Sequence, residues 1–342
     1  MPVYLHTLGA DPDRDEAAFG HGVSPSLDLP ANAWAWVVAT PGSGHLVAAY
    51  NDGVRHELTI FTAPRGAFAG PKTPWKRVTT YDDKVVGLDV RGDEAFLHTR
   101  RGAPRGQIVR LDLRRPELGR ASVFVPQDPS AVLEAMGVAK DGLYVRKLDG
   151  GIGKLFRASW GGALEPVDPG VGGAAGGFVT EPGAAGALLF VTSWTSSTKL
   201  VAVDPARKSA ADTGIIPPSK VSFEGVVATE EKAKSADGTM VPISILRRAD
   251  APRDGSGPAY LLGYASYGNV GRPYFEPMRL AWLERGGTWA YCHARGGGEY
   301  GEAWHEAGKL GTKTNTIEDY LACARHLVEA KYSSPGRIGG HG

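Results

Sequence analysis

The first chemical question is whether any serine sits where a base can activate it. A serine hydroxyl becomes a strong nucleophile when a sharp strand-to-helix turn, Gly-x-Ser-x-Gly, lifts it toward a general base. No serine in the chain has glycine at both the second position before it and the second after it. Ser266 comes nearest, followed by Gly268 but preceded by Tyr264, and Ser256 lies between adjacent glycines in a linker. Nine histidines supply possible bases, and counting alone does not exclude a triad built from them. His293 and His326 read as strand and helix positions with satisfied nitrogens. In RGGGEYGEAWHEAG (residues 295–308), Arg295 and Glu299 flank three glycines. The glycines permit unusual backbone angles, and the charged pair reads as an ordering contact. Cys292 and Cys323 are the only cysteines. They are too few for a disulfide framework or a four-ligand zinc site, and read as two buried reduced thiols.

Such side chains need a scaffold, and the scaffold is written in two grammars. Up to residue 220 no long amphipathic helix appears. Four segments share one shape: an alternating apolar run, a polar turn, and a second alternating run. They are HLVAAYNDGVRHELTIFTAP from His45, AFLHTRRGAPRGQIVRLDLRRP from Ala95, GLYVRKLDGGIGKLFRASWGG from Gly142 and ALLFVTSWTSSTKLVAVDPAR from Ala187. Their turns, NDG, GAPRG, DGG and TSS, have hairpin chemistry. A further strand is expected ahead of each, over residues 33–39, 85–90, 132–138 and 176–180, with a strand remnant at residues 3–8. A repeat of ~40–50 residues with about four strands is the signature of a β-propeller blade. A β-sandwich with coincidental spacing is the alternative. Four hairpins and a remnant make about four to five blades, an incomplete propeller cut open.

After residue 222 the pattern changes. GVVATEEKAK and TMVPISILRR flank a Ser-Ala-Asp-Gly turn, and a Pro-, Gly- and Asp-rich linker follows over residues 248–258. Residues 259–265 read as a buried strand, 279–285 as a short helix, and 288–294 as another strand. In the helix expected over residues 317–330, Ile317, Tyr320, Leu321, Ala324, Leu327 and Val328 share one face. Asn315 with Glu318 fits a reciprocal cap. A turn at residues 334–338 leads into a last strand. Strands alternating with helices predict α/β layering.

Composition excludes several classes. Lys plus Arg is 38 and Asp plus Glu is 37. That balance argues against a nucleic-acid or membrane-surface partner, which calls for a basic excess. The start has no basic leader, and the longest candidate span, residues 182–198, is broken by Pro, Gly and a Ser/Thr cluster. The expected setting is cytoplasmic. Glycine, at 47 of 342 residues, is roughly twice its usual ~7% and suits tight turns between short strands.

With Tyr264 inside LLGYASYG, with LAWLERGGTWAYCHARGGGEYGEAWHEAGKL and with YSSPGRI, the chain resembles the prolyl oligopeptidase family of serine peptidases. The blade repeats and the SADGTMVPISIL hairpin extend the resemblance over essentially the whole chain. It implies residues 1–221 as a partial propeller and residues 222–342 as the N-terminal half of an α/β-hydrolase domain with a Ser-Asp-His triad. In that family the strand entered by YSSPGRI ends in the serine turn. Here Gly340-His341-Gly342 is the lead-in, the serine is expected about two residues further on, and Pro2 to Leu8 resembles the middle of a propeller. The expectation is therefore a chain short at both ends, inactive by itself.

Two tyrosines then acquire roles. Tyr264 matches the family tyrosine whose hydroxyl helps form the oxyanion hole, a donor aimed at the carbonyl oxygen as it gains charge. Tyr267 matches an aromatic near the substrate pocket. His305 matches a loop residue of the motif, bonded to backbone, and His341 stands beside the expected nucleophile. The implied activity is cleavage of short peptides, after proline, with no metal or organic cofactor and no nucleic-acid or membrane partner. The alternatives are a basic-residue-specific oligopeptidase, an acyl hydrolase of the same fold, or a non-catalytic propeller binding module.

Overall fold

Period-two alternation sends successive side chains to opposite faces of a strand, so a strand buries both faces only where sheets stack. The computed structural model, which describes residues 2–24, 26–53, 55–170 and 174–342, has that arrangement. A two-stranded antiparallel sheet, β1 (Val3–Leu5) with β2 (Glu16–Phe19), comes first. Four four-stranded antiparallel sheets follow, each a meander in chain order. The first comprises β3 (Ala33–Val38), β4 (His45–Asp52), β5 (Thr59–Pro64) and β6 (Lys76–Arg77). The second comprises β7 (Val85–Arg91), β8 (Glu94–Thr99), β9 (Gln107–Asp112) and β10 (Ser122–Val125). The third comprises β11 (Val132–Ala139), β12 (Gly142–Asp149), β13 (Ile152–Ala158) and β14 (Leu164–Val167). The fourth comprises β15 (Ala174–Val179), β16 (Leu188–Thr192), β17 (Lys199–Asp204) and β18 (Ser209–Asp212). All four expected hairpins are present, as the second and third strands of their sheets. The closing strands β6, β10, β14 and β18 are two to four residues long, too short for alternation to announce them.

The cores lie between sheets. Val47 and Ala49 of β4 pack with Ala95 and Leu97 of β8, while Leu46 and Ala48 turn the other way, toward Phe19 of β2. Phe96 of β8 joins Leu143 and Val145 of β12, and Tyr144 joins Leu189 and Val191 of β16. Separate sheets sharing faces in sequence are stacked blades, not one sandwich. Each buried Val, Leu or Phe there contributes about 1.5–3 kcal/mol relative to exposure. The fourth blade differs on its far face, where Leu188 and Phe190 are 43% and 46% exposed.

Residues beyond the blades form a five-stranded mixed sheet. Its strands are β19 (Val226–Lys234), β20 (Met240–Arg248), β21 (Ala259–Leu262), β22 (Thr288–Cys292) and β23 (Ile338–His341), in the order β19-β20-β22-β21-β23. β21 runs parallel to β22 and β23, whereas β20 is antiparallel to β19 and β22. The helices are α1 (Arg279–Leu283), α2 (Glu302–Glu306) and α3 (Thr314–Glu329). Among the described residues no helix is long and apolar enough to cross a membrane.

Three expectations need correction here. The stripe that α3 buries is Thr316, Asp319, Ala322, Cys323 and Leu327, while Ile317 and Leu321 are 55% and 45% exposed. Two polar members hid that stripe from a hydropathy reading; both have partners, since Thr316 donates to the Arg295 carbonyl and Asp319 accepts from Arg295. The helix begins at Thr314, so Asn315 is no cap; its amide donates to the Ala307 carbonyl. Cys292 and Cys323 are not free thiols but a disulfide, with Cα atoms 6.0 Å apart, joining the end of β22 to the middle of α3. Both residues are fully buried.

One place where the blades meet the mixed sheet is a turn of two residues. Asp149 pairs with Ile152, leaving Gly150 (φ +57°) and Gly151 (φ +98°) as the loop. Positive φ at both positions suits the type I′ hairpin and favours glycine. The missing side chains also let the other half approach: a Cβ on Gly151 would stand 3.0 Å from His293 Cε1, and one on Gly150 3.2 Å from the Tyr300 hydroxyl.

Candidate active site

Parallel strands end together, and the loops beyond their carboxyl ends are where α/β sheets collect functional groups. β21 ends at Leu262 and β23 at His341, and the Gly263 N–H donates to the His341 carbonyl at 3.2 Å. A Cβ built on Gly342 would stand 2.0 Å from the Gly263 oxygen and 3.8 Å from the Tyr264 Cα. Tyr264 therefore begins its loop directly beside Gly342, with its ring 48% exposed.

The loop then turns twice through left-handed backbone. Ala265 has φ +45° and Tyr267 φ +58°, conformations that cost a non-glycine residue free energy unless neighbours enforce them. The neighbours here are identifiable. Lys313 donates its ammonium to the Ala265 carbonyl (3.1 Å) and the Ser266 hydroxyl (3.0 Å). The Gly268 N–H donates to the Gly296 carbonyl, and the Gly298 N–H to the Asn269 carbonyl. The Gly271 N–H donates to Glu299 Oε1 at 3.0 Å. The three glycines of the motif serve this contact. A Cβ on Gly296 (φ +103°) would come within 2.3 Å of the Ala265 oxygen, and one on Gly298 within 2.3 Å of the Gly268 oxygen. Only bare backbone packs on backbone so closely.

The two turns send Tyr264 and Tyr267 to different places. Tyr267, 77% exposed, stands on the wall of a cavity of about 770 Å³ between the blades and the mixed sheet. Val270, Arg272 and His305 share that wall, and His98, Leu133 and Glu134 line the blade side. Tyr264 is outside it. Two ion pairs join blades to mixed sheet among the described residues: Lys84 with Glu302 at 3.2 Å, and Arg272 with Glu134. Burial pushes the His98 imidazole down to about 3, helped by the nearby Arg100 charge, so it is neutral at ordinary pH.

Arg295 and Glu299 do not contact each other as expected; each orders the loop through other partners. Arg295 meets Asp319 through Nε (2.8 Å) and Nη2 (2.6 Å), and Asp237 of the β19–β20 turn through Nη1 (2.5 Å). The Asp319 hydrogen bonds, with Asp237 beside them, hold the guanidinium well above its usual range despite burial. The histidine expectations agree with the geometry. His305 Nδ1 is 2.9 Å from the Gly296 carbonyl, and His326 Nε2 is 2.6 Å from Glu231. His341 contacts the Tyr260 hydroxyl.

One arrangement escapes motif reading. Ser244 Oγ lies 2.8 Å from His293 Nε2, and His293 Nδ1 lies 3.4 Å from Glu299 Oε1. The partners follow the serine–histidine–acid order, yet Ser244 is fully buried and its hydroxyl donates to Glu230 at 2.6 Å. A nucleophile must reach its substrate; this chain of contacts instead ties β19, β20 and β22 to the glycine loop. Among the described residues no group of acids, histidines and cysteines forms a metal cluster.

Comparison with known proteins agrees with this architecture. Residues 273–342 match the model of the prolyl oligopeptidase family. The chain is 30% identical to a prolyl endopeptidase of Elizabethkingia miricola, over 97% of its own length and 45% of that protein. It is 28% identical to prolyl oligopeptidase A of Amanita bisporigera, over 95% and 45%. A solved structure from a study of two prolyl endopeptidases superposes with a TM-score of 0.81 at 25% identity, covering 99% of this chain and 48% of that one. Prolyl oligopeptidase B from Galerina marginata, bound to a macrocyclization substrate, shares the fold with a TM-score of 0.83 at 20% identity. The chain spans about half the length of the curated relatives it matches. Its fold is an incomplete β-propeller followed by the N-terminal part of an α/β-hydrolase domain.

Proposed function

Because this chain belongs to the prolyl oligopeptidase family, we propose that it forms part of a serine oligopeptidase that cleaves short peptides after proline. In this reading residues 1–221 are the propeller wall that limits entry, and residues 222–342 open the catalytic domain. A serine on the turn after Gly342 attacks the scissile carbonyl with help from a histidine and an aspartate further along, and an acyl-enzyme forms as the amine leaves. The Tyr264 hydroxyl donates to the carbonyl oxygen as it becomes an oxyanion, and Tyr267 forms a wall of the substrate pocket. The reading calls for no metal or organic cofactor.

The observation that carries it is the convergence of β21 and β23: Tyr264 starts its loop within van der Waals reach of Gly342, the residue leading toward the expected serine. A phenol there stands next to the reacting carbonyl, and Tyr267 faces a cavity of peptide-binding size.

The test uses a chain that continues through the serine turn and the later triad. Matched chromogenic substrates with proline, arginine or a simple acyl ester at the cleaved bond separate the readings. Preference for proline supports the proposal. Preference for arginine or the ester moves it to the sister specificities. Peptide binding without turnover leaves a non-catalytic propeller module.

A further inference from the structure

The disulfide lies beside a second tie between the same two segments. Cys292 closes β22, and three residues later Arg295 opens the glycine loop. Cys323 sits one turn beyond Asp319 on the same buried stripe of α3. The end of β22 is thus fastened to α3 covalently by Cys292–Cys323 and ionically by Arg295–Asp319, with Thr316 donating to the Arg295 carbonyl. What hangs from these ties is the glycine loop, which holds the Tyr264–Gly271 loop through the backbone of Gly296 and Gly298 and the carboxylate of Glu299. Ala265 and Tyr267 occupy left-handed backbone, which that support and Lys313 together hold in place.

We propose that the Cys292–Cys323 bond is a redox-sensitive clamp that sets the rigidity of the two loops at the candidate active site. Closing it joins the two sulfurs; two electrons and two protons pass to an external disulfide, which leaves as two thiols. Opening reverses the exchange with a dithiol. Both sulfurs are buried, so exchange in the folded chain waits on local opening of α3 and is slow, and refolding sets the state quickly. An open clamp leaves the Arg295–Asp319 pair and the Thr316 hydrogen bond to the Arg295 carbonyl as the polar ties. The inference concerns the loops themselves and does not depend on the peptidase reading.

The test compares this chain refolded with oxidised glutathione against the same chain refolded with excess reductant. After denaturation without reductant, the first form should take up no iodoacetamide at either cysteine, and the second should label at both. Free thiols in the oxidised form overturn the proposal. Hydrogen exchange should then be roughly tenfold or more faster over residues 264–271 and 293–301 in the reduced form, with strand β4 unchanged as a control. Equal exchange in the two loops, or a loss of protection that includes β4, overturns it. Cys323→Ala removes the clamp without added reagent. It should show fast loop exchange in both buffers, and a redox response persisting in that variant overturns the assignment.

Discussion

Removing the Asp319 carboxylate should loosen the mixed sheet more than any surface change nearby. Asp319 is fully buried, and the Arg295 side chain is 7% exposed. The carboxylate accepts from Arg295 Nε at 2.8 Å, Nη2 at 2.6 Å and the Arg295 backbone N–H at 2.9 Å. Deleting one partner of a buried pair strands the other charge and costs about 3–5 kcal/mol. Arg295 keeps Asp237, but that side chain is 48% exposed, and a solvent-screened contact offsets at most ~1 kcal/mol. Asp319→Ala should therefore cost about 2–4 kcal/mol. At ~1.4 kcal/mol per factor of ten, opening of β22 becomes on the order of 30- to 1000-fold more frequent. Native-state hydrogen exchange at the β22 amides measures that opening directly. The double change Arg295→Met with Asp319→Leu should cost less than Asp319→Ala, because no lone charge stays buried. An Asp319→Ala chain whose β22 opening rises less than about fivefold, or a double variant worse than the single one, would refute this account of the pair.

Three further outcomes are expected. His98 is depressed to about 3 by burial, against ~6.5 unfolded, so the unfolded state binds the extra proton between those values. Its contribution to stability is complete above pH ~6.5 and falls with pH at up to ~1.4 kcal/mol per unit toward pH 3; His98→Gln should flatten that part of a pH–denaturation profile. In a chain extended through the triad, Tyr264→Phe should lower kcat by ~10²–10³ with little change in KM, while Tyr267→Phe should be mild, as steady-state kinetics on a proline peptide will show. The far face of the fourth blade, with Leu188 and Phe190 half exposed, should make this chain self-associate and bind hydrophobic dye. Leu188→Ser with Phe190→Ser should reduce both, measured by light scattering and dye fluorescence, and an unchanged dye signal would count against that face.

Local order was legible because it is repetitive. Alternation in β4, β8, β12 and β16, the two-glycine turn at Gly150 and Gly151, and the change of grammar after residue 222 each depend on neighbours in the chain. The glycine-rich motif named the loop for the same reason: its residues lie together in sequence. What the sequence left open depends on which segments meet. The buried stripe of α3 contains Thr316 and Asp319, polar groups that are stable there only because Arg295 and the loop carbonyls come to meet them. Ile317 and Leu321, apolar and in good register, face outward instead. The cysteines read as separate thiols because nothing near either one announces the other; they join because β22 and α3 pack face to face. Arg295 and Glu299, four residues apart, read as a pair, yet Arg295 meets Asp319 of α3 and Glu299 accepts from the Gly271 N–H of the neighbouring loop. Pattern and turn chemistry act over a few residues and so are written in order along the chain. Partner choice is a competition among groups brought together from distant segments, and the packed fold decides it, because burial makes every unpaired charge and polar atom costly.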